Sequence, residues 1–269
     1  MVAQQEQKVT AEISANFLPR IKMEKNVWKI NAQDMHYREL NTLLRELDRK
    51  GAEKVEISNV YGQRYIGTDL KTKMKIDIYG TPGNDLAAFM DNPSIEVHGN
   101  AQDCTGNTMN DGQIVIHGRA GDITGYGMRG GKMFIRDDVG YRVGIHMKEY
   151  MDKKPYMVVG GTAEDFLGEY MAGGVLVILG LTLKKGDAYR ARFVGTGMHA
   201  GVIYVRGEIG NLGKEVKIME VNKKDLKQIE GLVKEYCGYF NADQKEIMSG
   251  KFVKIVPYSH RPYGRIYAY

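Results

Sequence analysis

Three glycines in the stretch ITGYGMRGGKMFI, residues 123–135, fall at Gly125, Gly127 and Gly130 and spell G-x-G-x-x-G. Such a turn can hold a dinucleotide pyrophosphate when it follows a strand and opens a helix whose N–H groups face the phosphates. Here the glycines lead into Lys132-Met133-Phe134-Ile135-Arg136, an alternating run that reads as another strand. No amphipathic helix follows for several tens of residues, so the motif lacks the context its chemistry needs.

The other reactive residue types are sparse. His98 and His117 stand one repeat apart on an outward strand face, close enough to share a zinc ion. A third ligand is missing, because the adjoining positions are Tyr79 and Arg136, and a solvated or partner-contacting pair is the default reading. Asp103, Asp122 and Asp165 recur three residues before a glycine, with Asn84 in the same place. Such a stack could bind a cation, but hydrogen bonding within the turn is the ordinary use of Asp and Asn there. Cys104 and Cys237 have no nucleophile context and fit neither a disulfide framework nor a four-cysteine metal site. None of Ser14, Ser58, Ser94, Ser249 or Ser259 stands in G-x-S-x-G, and no Walker loop occurs. No catalytic, cofactor-binding or metal-binding residue is therefore assigned to this chain.

What positions these residues is a repeat. Ile95–Asp111, IEVHGNAQDCTGNTMND, and Ile114–Gly130, IVIHGRAGDITGYGMRG, agree at eight of seventeen positions at an offset of nineteen. Met90, Met109, Met128 and Met147 continue that interval, and Met171 and Met198 follow after insertions. Glycine stands three before the methionine at Gly106, Gly125, Gly144, Gly168 and Gly195, with Ala87 in the first copy. A short strand per repeat, bounded by glycines, predicts a solenoid in which stacking neighbours makes the core continuous. The strands place Ile76/Ile78, Ile95/Val97, Ile114/Ile116, Met133/Ile135, Tyr156/Val158, Leu176/Ile178 and Ile203/Val205 inside. The methionines read as packed core, since no His or Cys repeats beside them. Parallel crossovers are right-handed in about 98% of cases, which favours a right-handed β-helix over a left-handed one of hexapeptides.

The fold class expected is thus an all-β core, a right-handed parallel β-helix with coils of about 19 residues and flanking α-helical caps. Residues 1–54 form an N-terminal extension and capping helix, with Leu40, Leu43, Leu44 and Leu47 on one face of His36–Lys50 and Gly51 as the stop. Residues 55–210 form the β-helix. Residues 211–269 form a C-terminal helical cap, Asn222 leading Leu226, Ile229, Val233, Tyr236 and Phe240, and an aromatic and basic tail. The outward face turns from Glu96, His98, His117 and Arg136 to Met157, Val159, Val177 and Leu179, an apolar strip that needs the C-terminal helix or another subunit as cover. Insertions at Lys148–Lys154 and Leu181–Val194 read as recognition loops.

The 269 residues carry a formal charge of +5 spread along the chain, which gives nucleic-acid binding little support. The longest apolar run, Val175–Leu183, is far below the ~20 residues of a membrane span, and the polar start lacks a signal-peptide core. The expected location is cytoplasmic.

With GNAQDCTGNTMNDG and GRAGDITGYGMRGG as its repeats, the chain resembles the G-x-G-x-G family, the C-terminal β-helix domain of the glutamate synthase large subunit. NVYGQRYIG (Asn59–Gly67), GTPGNDLAAFMDNP (Gly80–Pro93) and GYRVGIHMKEY (Gly140–Tyr150) resemble its stand-alone form, and the likeness runs from about Trp28 to Tyr269. One of the subunits of formylmethanofuran dehydrogenase is a more distant relative that shares the coil pattern. Asp137 departs from the pattern by replacing glycine, which suggests a bent or exposed corner. The resemblance implies a non-catalytic scaffold subunit of a glutamate-synthase-like oxidoreductase. Its partners would be a glutaminase, an FMN and iron–sulfur synthase subunit and a flavin electron-input subunit. FMN, FAD and iron–sulfur clusters would sit on those partners and none on this chain. The alternative assembly is formylmethanofuran dehydrogenase or another multi-subunit redox complex. A self-sufficient hydrolase working in a groove of the solenoid, through Asp122 or His117 for instance, is the third reading.

Overall fold

The computed structural model describes residues 18–184 and 186–259. A hairpin, β1 (Ile21–Glu24) and β2 (Val27–Asn31), leads through helix α1 (Tyr37–Arg49) into the repeats. Each repeat then contributes one strand: β3 (Lys54–Tyr61), β4 (Lys75–Thr81), β5 (Ser94–His98), β6 (Gln113–Ile116), β7 (Lys132–Ile135), β8 (Tyr156–Val159), β9 (Ala172–Ile178) and β10 (Ala200–Arg206). From β2 to β10 the pairing is parallel and sequential, as a β-helix requires. Lys75, Ser94, Gln113 and Lys132 are in register, nineteen residues apart.

Inside the coils lie the expected ladders. Ile76, Ile95, Ile114, Met133, Leu176 and Ile203 stack from strand to strand and are all buried. Met90, Met109, Met128, Met147, Met171 and Met198 form a second buried column where the chain turns a corner, because an unbranched thioether fills an irregular gap. Each such side chain contributes roughly 1.5–3 kcal/mol when removed from water, and no coil has enough of them to stand alone.

One expected pair is out of register. Met157 and Val159 of β8 pair with Met133 and Ile135 and point inward, while Tyr156 and Val158 point out. The insertion before β8 stretches this coil from nineteen to twenty-four residues, and a one-residue slip exchanges every side chain between faces.

The N-terminal end is closed as expected. Leu40, Leu43, Leu44 and Leu47 of α1 join the interior cluster, and His36 caps the helix. Its ring accepts from the Arg38 N–H, and the Glu39 carboxylate accepts from the His36 N–H.

The C-terminal end combines the expected helical segment with two strands. After β11 (Val216–Met219) come helices α2 (Lys223–Phe240) and α3 (Gln244–Met248) and strand β12 (Phe252–Pro257). Strand β12 inserts antiparallel between β10 and β11, and Val216 and Ile255 seal the interior there. Helix α2, which the sequence offered both as a C-terminal cap and as a cover for the outer apolar strip, lies along the outer sheet face. Ile229, Leu232, Val233 and Tyr236 cover Val115, Phe134, Val158, Val177 and Tyr204, while Leu226 is exposed. The apolar outer strip therefore has its cover within the chain. The first half of the expected tail is β12; residues 260–269 and the start of the N-terminal extension, with Ser14, lie outside the described residues.

Candidate functional site

The opening glycines sit on the corner opposite the sheet. There, three alternate residues per coil have left-handed backbone: Cys104, Gly106 and Thr108 in one coil, Ile123, Gly125 and Gly127 in the next. The N–H groups point alternately to the coils on either side. Gly125 donates to the Thr105 carbonyl and Gly127 to the Ile145 carbonyl, both at 2.8 Å. A pyrophosphate would find those donors spent, which answers the nucleotide question on geometry. A Cβ on Gly125 would lie 2.2 Å from the Met157 methyl, the end of a flexible side chain, whereas one on Gly130 would lie 2.2 Å from the Asn110 backbone carbonyl oxygen. At Gly127 the nearest atom would be 3.6 Å away.

The aspartates use their carboxylates to tie successive coils. Asp103 accepts from the Asp122 N–H, Asp122 from the Tyr141 N–H and Asp165 from the Arg192 N–H, each at 2.9 Å. The sequence expected bonds within one turn; the bonds run between turns. Asp137 keeps the stack as well, its N–H donating to the Gly118 carbonyl at 3.1 Å, and its side chain is 31% exposed at a bend of the chain. Neither thiol is activated. Burial first, then Asp85, Asp103 and Asp122, push the Cys104 thiol up, and burial followed by Asp243 does the same at Cys237.

Each insertion is anchored to the rod at a few points while Met151 and Leu181 stay exposed. Lys153 reaches Asp91 at 2.8 Å and Asp111 at 3.4 Å, spanning two earlier coils. Tyr189 is buried, its hydroxyl donating to the Arg206 carbonyl at 2.7 Å, and burial pushes its phenol up to about 12. Half-exposed aromatic rings stand at and beside the left-handed positions of this corner. Phe89, Tyr126, Tyr141, Tyr170 and Phe193 are each 39–50% exposed. The His146 and Tyr170 rings stack at 5.3 Å, and those of Phe166 and Phe193 at 5.0 Å.

The sheet's outer face carries polar residues before the apolar strip begins. Lys54 pairs with Asp77 at 3.2 Å, His98 Nε2 with Asp77 at 3.0 Å and His117 Nε2 with Glu96 at 2.6 Å. Tyr79, His98 and His117 stack in a column with centroid spacings of 4.5 and 5.2 Å, and Phe240 at the end of α2 meets His117 edge-on. The third donor missing from the sequence reading is present. Glu96 lies on the same face, diagonal to His117, and one ligand atom from each of Glu96, His98 and His117 lies within 4.8 Å of the others. Two shallow depressions flank this face. One of about 400 Å³ lies beside α2 and includes Lys132, Lys227 and Glu235; one of about 490 Å³ includes Glu24, Lys29 and Glu56. Neither gathers a nucleophile with a base. No described helix is long and apolar enough to cross a membrane.

The fold defines a β-solenoid protein. Residues 25–258 match the family described as GXGXG motif, and the chain belongs to that family. It is 51% identical over 248 residues to "Uncharacterized protein MJ1350" of Methanocaldococcus jannaschii, covering 88% of this chain and 95% of that protein. Among solved structures, a chain of the formyltransferase/hydrolase complex (FhcABCD) from Methylorubrum extorquens, in complex with methylofuran, shares the fold. Its TM-score is 0.58 at 17% identity, over 87% of this chain and 92% of that one.

Proposed function

We propose that this chain is a non-catalytic β-helix subunit of a multi-subunit enzyme complex, binding partner proteins along its outer surface. The observation that carries the reading is the set of half-exposed rings Phe89, Tyr126, Tyr141, Tyr170 and Phe193 at and beside the left-handed corner of the stacked coils. Large rings left in water on a fixed scaffold suit protein–protein contact, since they contribute apolar area at little conformational cost.

Two assemblies fit. A structural subunit of a formylmethanofuran-dehydrogenase-like complex, or of another multi-subunit redox complex, is supported by the fold shared with the formyltransferase/hydrolase complex. A glutamate-synthase-like assembly, with glutaminase, FMN/iron–sulfur and flavin electron-input partners, is supported by GXGXG membership over nearly the whole chain. The fold comparison favours the first. In the glutamate-synthase-like case FMN, FAD and iron–sulfur clusters would reside on the partners; in either case soluble, cytoplasmic assembly is expected.

Purification of the endogenous chain from native extract, followed by mass spectrometry of what co-elutes, tests the reading. Partner subunits in stoichiometric amount are expected, and their identity selects the assembly. A solitary chain with its own turnover would overturn the proposal.

A further inference from the structure

We propose that Glu96, His98 and His117 form a site for one divalent transition-metal cation, with zinc the best match to the donors. Two imidazoles and one carboxylate are a zinc-ligand set that leaves a fourth position open. They are mounted on adjacent strands, β5 and β6, whose spacing is fixed by the parallel ladder. Tetrahedral zinc with bonds of roughly 2.1 Å holds its donors about 3.4 Å apart. The present separations, all within 4.8 Å, close to that value by side-chain rotation. The two rings lie 15° from parallel and must tilt toward each other to aim at one ion.

The surroundings prepare this change. Asp77 accepts from His98 Nε2 at 3.0 Å when that nitrogen carries the proton, which leaves Nδ1 as the ring's lone-pair atom. His117 Nε2 and the Glu96 carboxylate are joined by a proton at 2.6 Å, and a cation takes the place of that proton as the bridge. Tyr79 and Phe240 flank the imidazoles, while the side chains of Glu96, His98 and His117 keep 24–38% exposure, so an ion can enter from solvent. The proposal does not depend on which assembly the subunit joins.

The test uses the full-length chain without a histidine tag, stripped with a chelator, and titrated with Zn²⁺ by calorimetry and with Co²⁺ by visible absorption. One equivalent of each is expected, with Co²⁺ giving the intense d–d bands of a low-coordinate site. Asp77→Asn should weaken binding roughly 10- to 100-fold by releasing His98. The double variant His98→Ala/His117→Ala should abolish the stoichiometric site, and His146→Ala, an imidazole outside the cluster, should leave it intact. Circular dichroism and melting confirm that each variant is folded. Failure of the wild type to bind one equivalent, or binding unchanged in the double variant, overturns the proposal and leaves two ordinary histidine–carboxylate pairs.

Discussion

Gly125 and Gly127 look alike in the sequence and differ in what surrounds them. Gly125→Ala puts a Cβ at left-handed φ against the Met157 methyl, whereas Gly127→Ala carries the backbone penalty alone. The expected losses are about 1–2 kcal/mol at Gly125, where the Met157 methyl can swing aside, and about 1 kcal/mol at Gly127, read by urea denaturation. A larger loss at Gly127 would refute the packing account. Asp225 offers a test by pH. Burial works to raise its carboxyl, but Lys254 at 2.8 Å, the Tyr204 hydroxyl at 2.6 Å and the Asn222 N–H outweigh it and hold it below its usual range. A lowered folded pKa stabilises above the unfolded value near 3.9 and is lost as pH falls through the folded one. Asp225→Asn should therefore cost about 3 kcal/mol at pH 7, leaving Lys254 without its partner, and the gap to wild type should narrow toward pH 3.

Among the elements, α2 is the piece for which the sequence left two places open, end cap or cover of the outer strip, and the structure chose the second. Its hydrophobic spacing identified a buried face, and the Asn222 cap fixed its start. The spacing could not say which surface it would cover. Placed on the outer sheet face, α2 is held by Ile229, Leu232, Val233 and Tyr236, and the Tyr236 hydroxyl donates to the Arg136 carbonyl at 3.0 Å. Ile229→Ala with Val233→Ala should release this helix before the solenoid, since the interior ladders belong to a separate cluster. Hydrogen exchange should show fast amides in α2 with slow ones retained in β4–β7. Simultaneous loss of both would mean that helix and coils unfold as one unit.

For the whole molecule the functional question is which surface meets a partner. If the half-exposed corner rings dock proteins, Phe89→Ser with Tyr170→Ser should leave stability within about 0.5 kcal/mol per site, because both rings are half in solvent. The same pair should reduce capture of native partners by tenfold or more, as interface anchors do. Unchanged capture would move the docking surface elsewhere, to the polar face of β1–β5 first.

The period of nineteen, the glycines and the methionine column were enough to determine a parallel β-helix, its interior residues in the regular coils and its leucine-lined N-terminal cap. Those features repeat locally, and a stack of coils obliges equivalent residues to meet. The structure decided what local pattern cannot reach. The insertion before β8 reset which of its side chains face inward, because strand parity depends on pairing with β7. The polarity of the outer face settled where α2 lies. Glu96 joined His98 and His117 because a diagonal neighbour across two strands comes within reach only when the sheet is built.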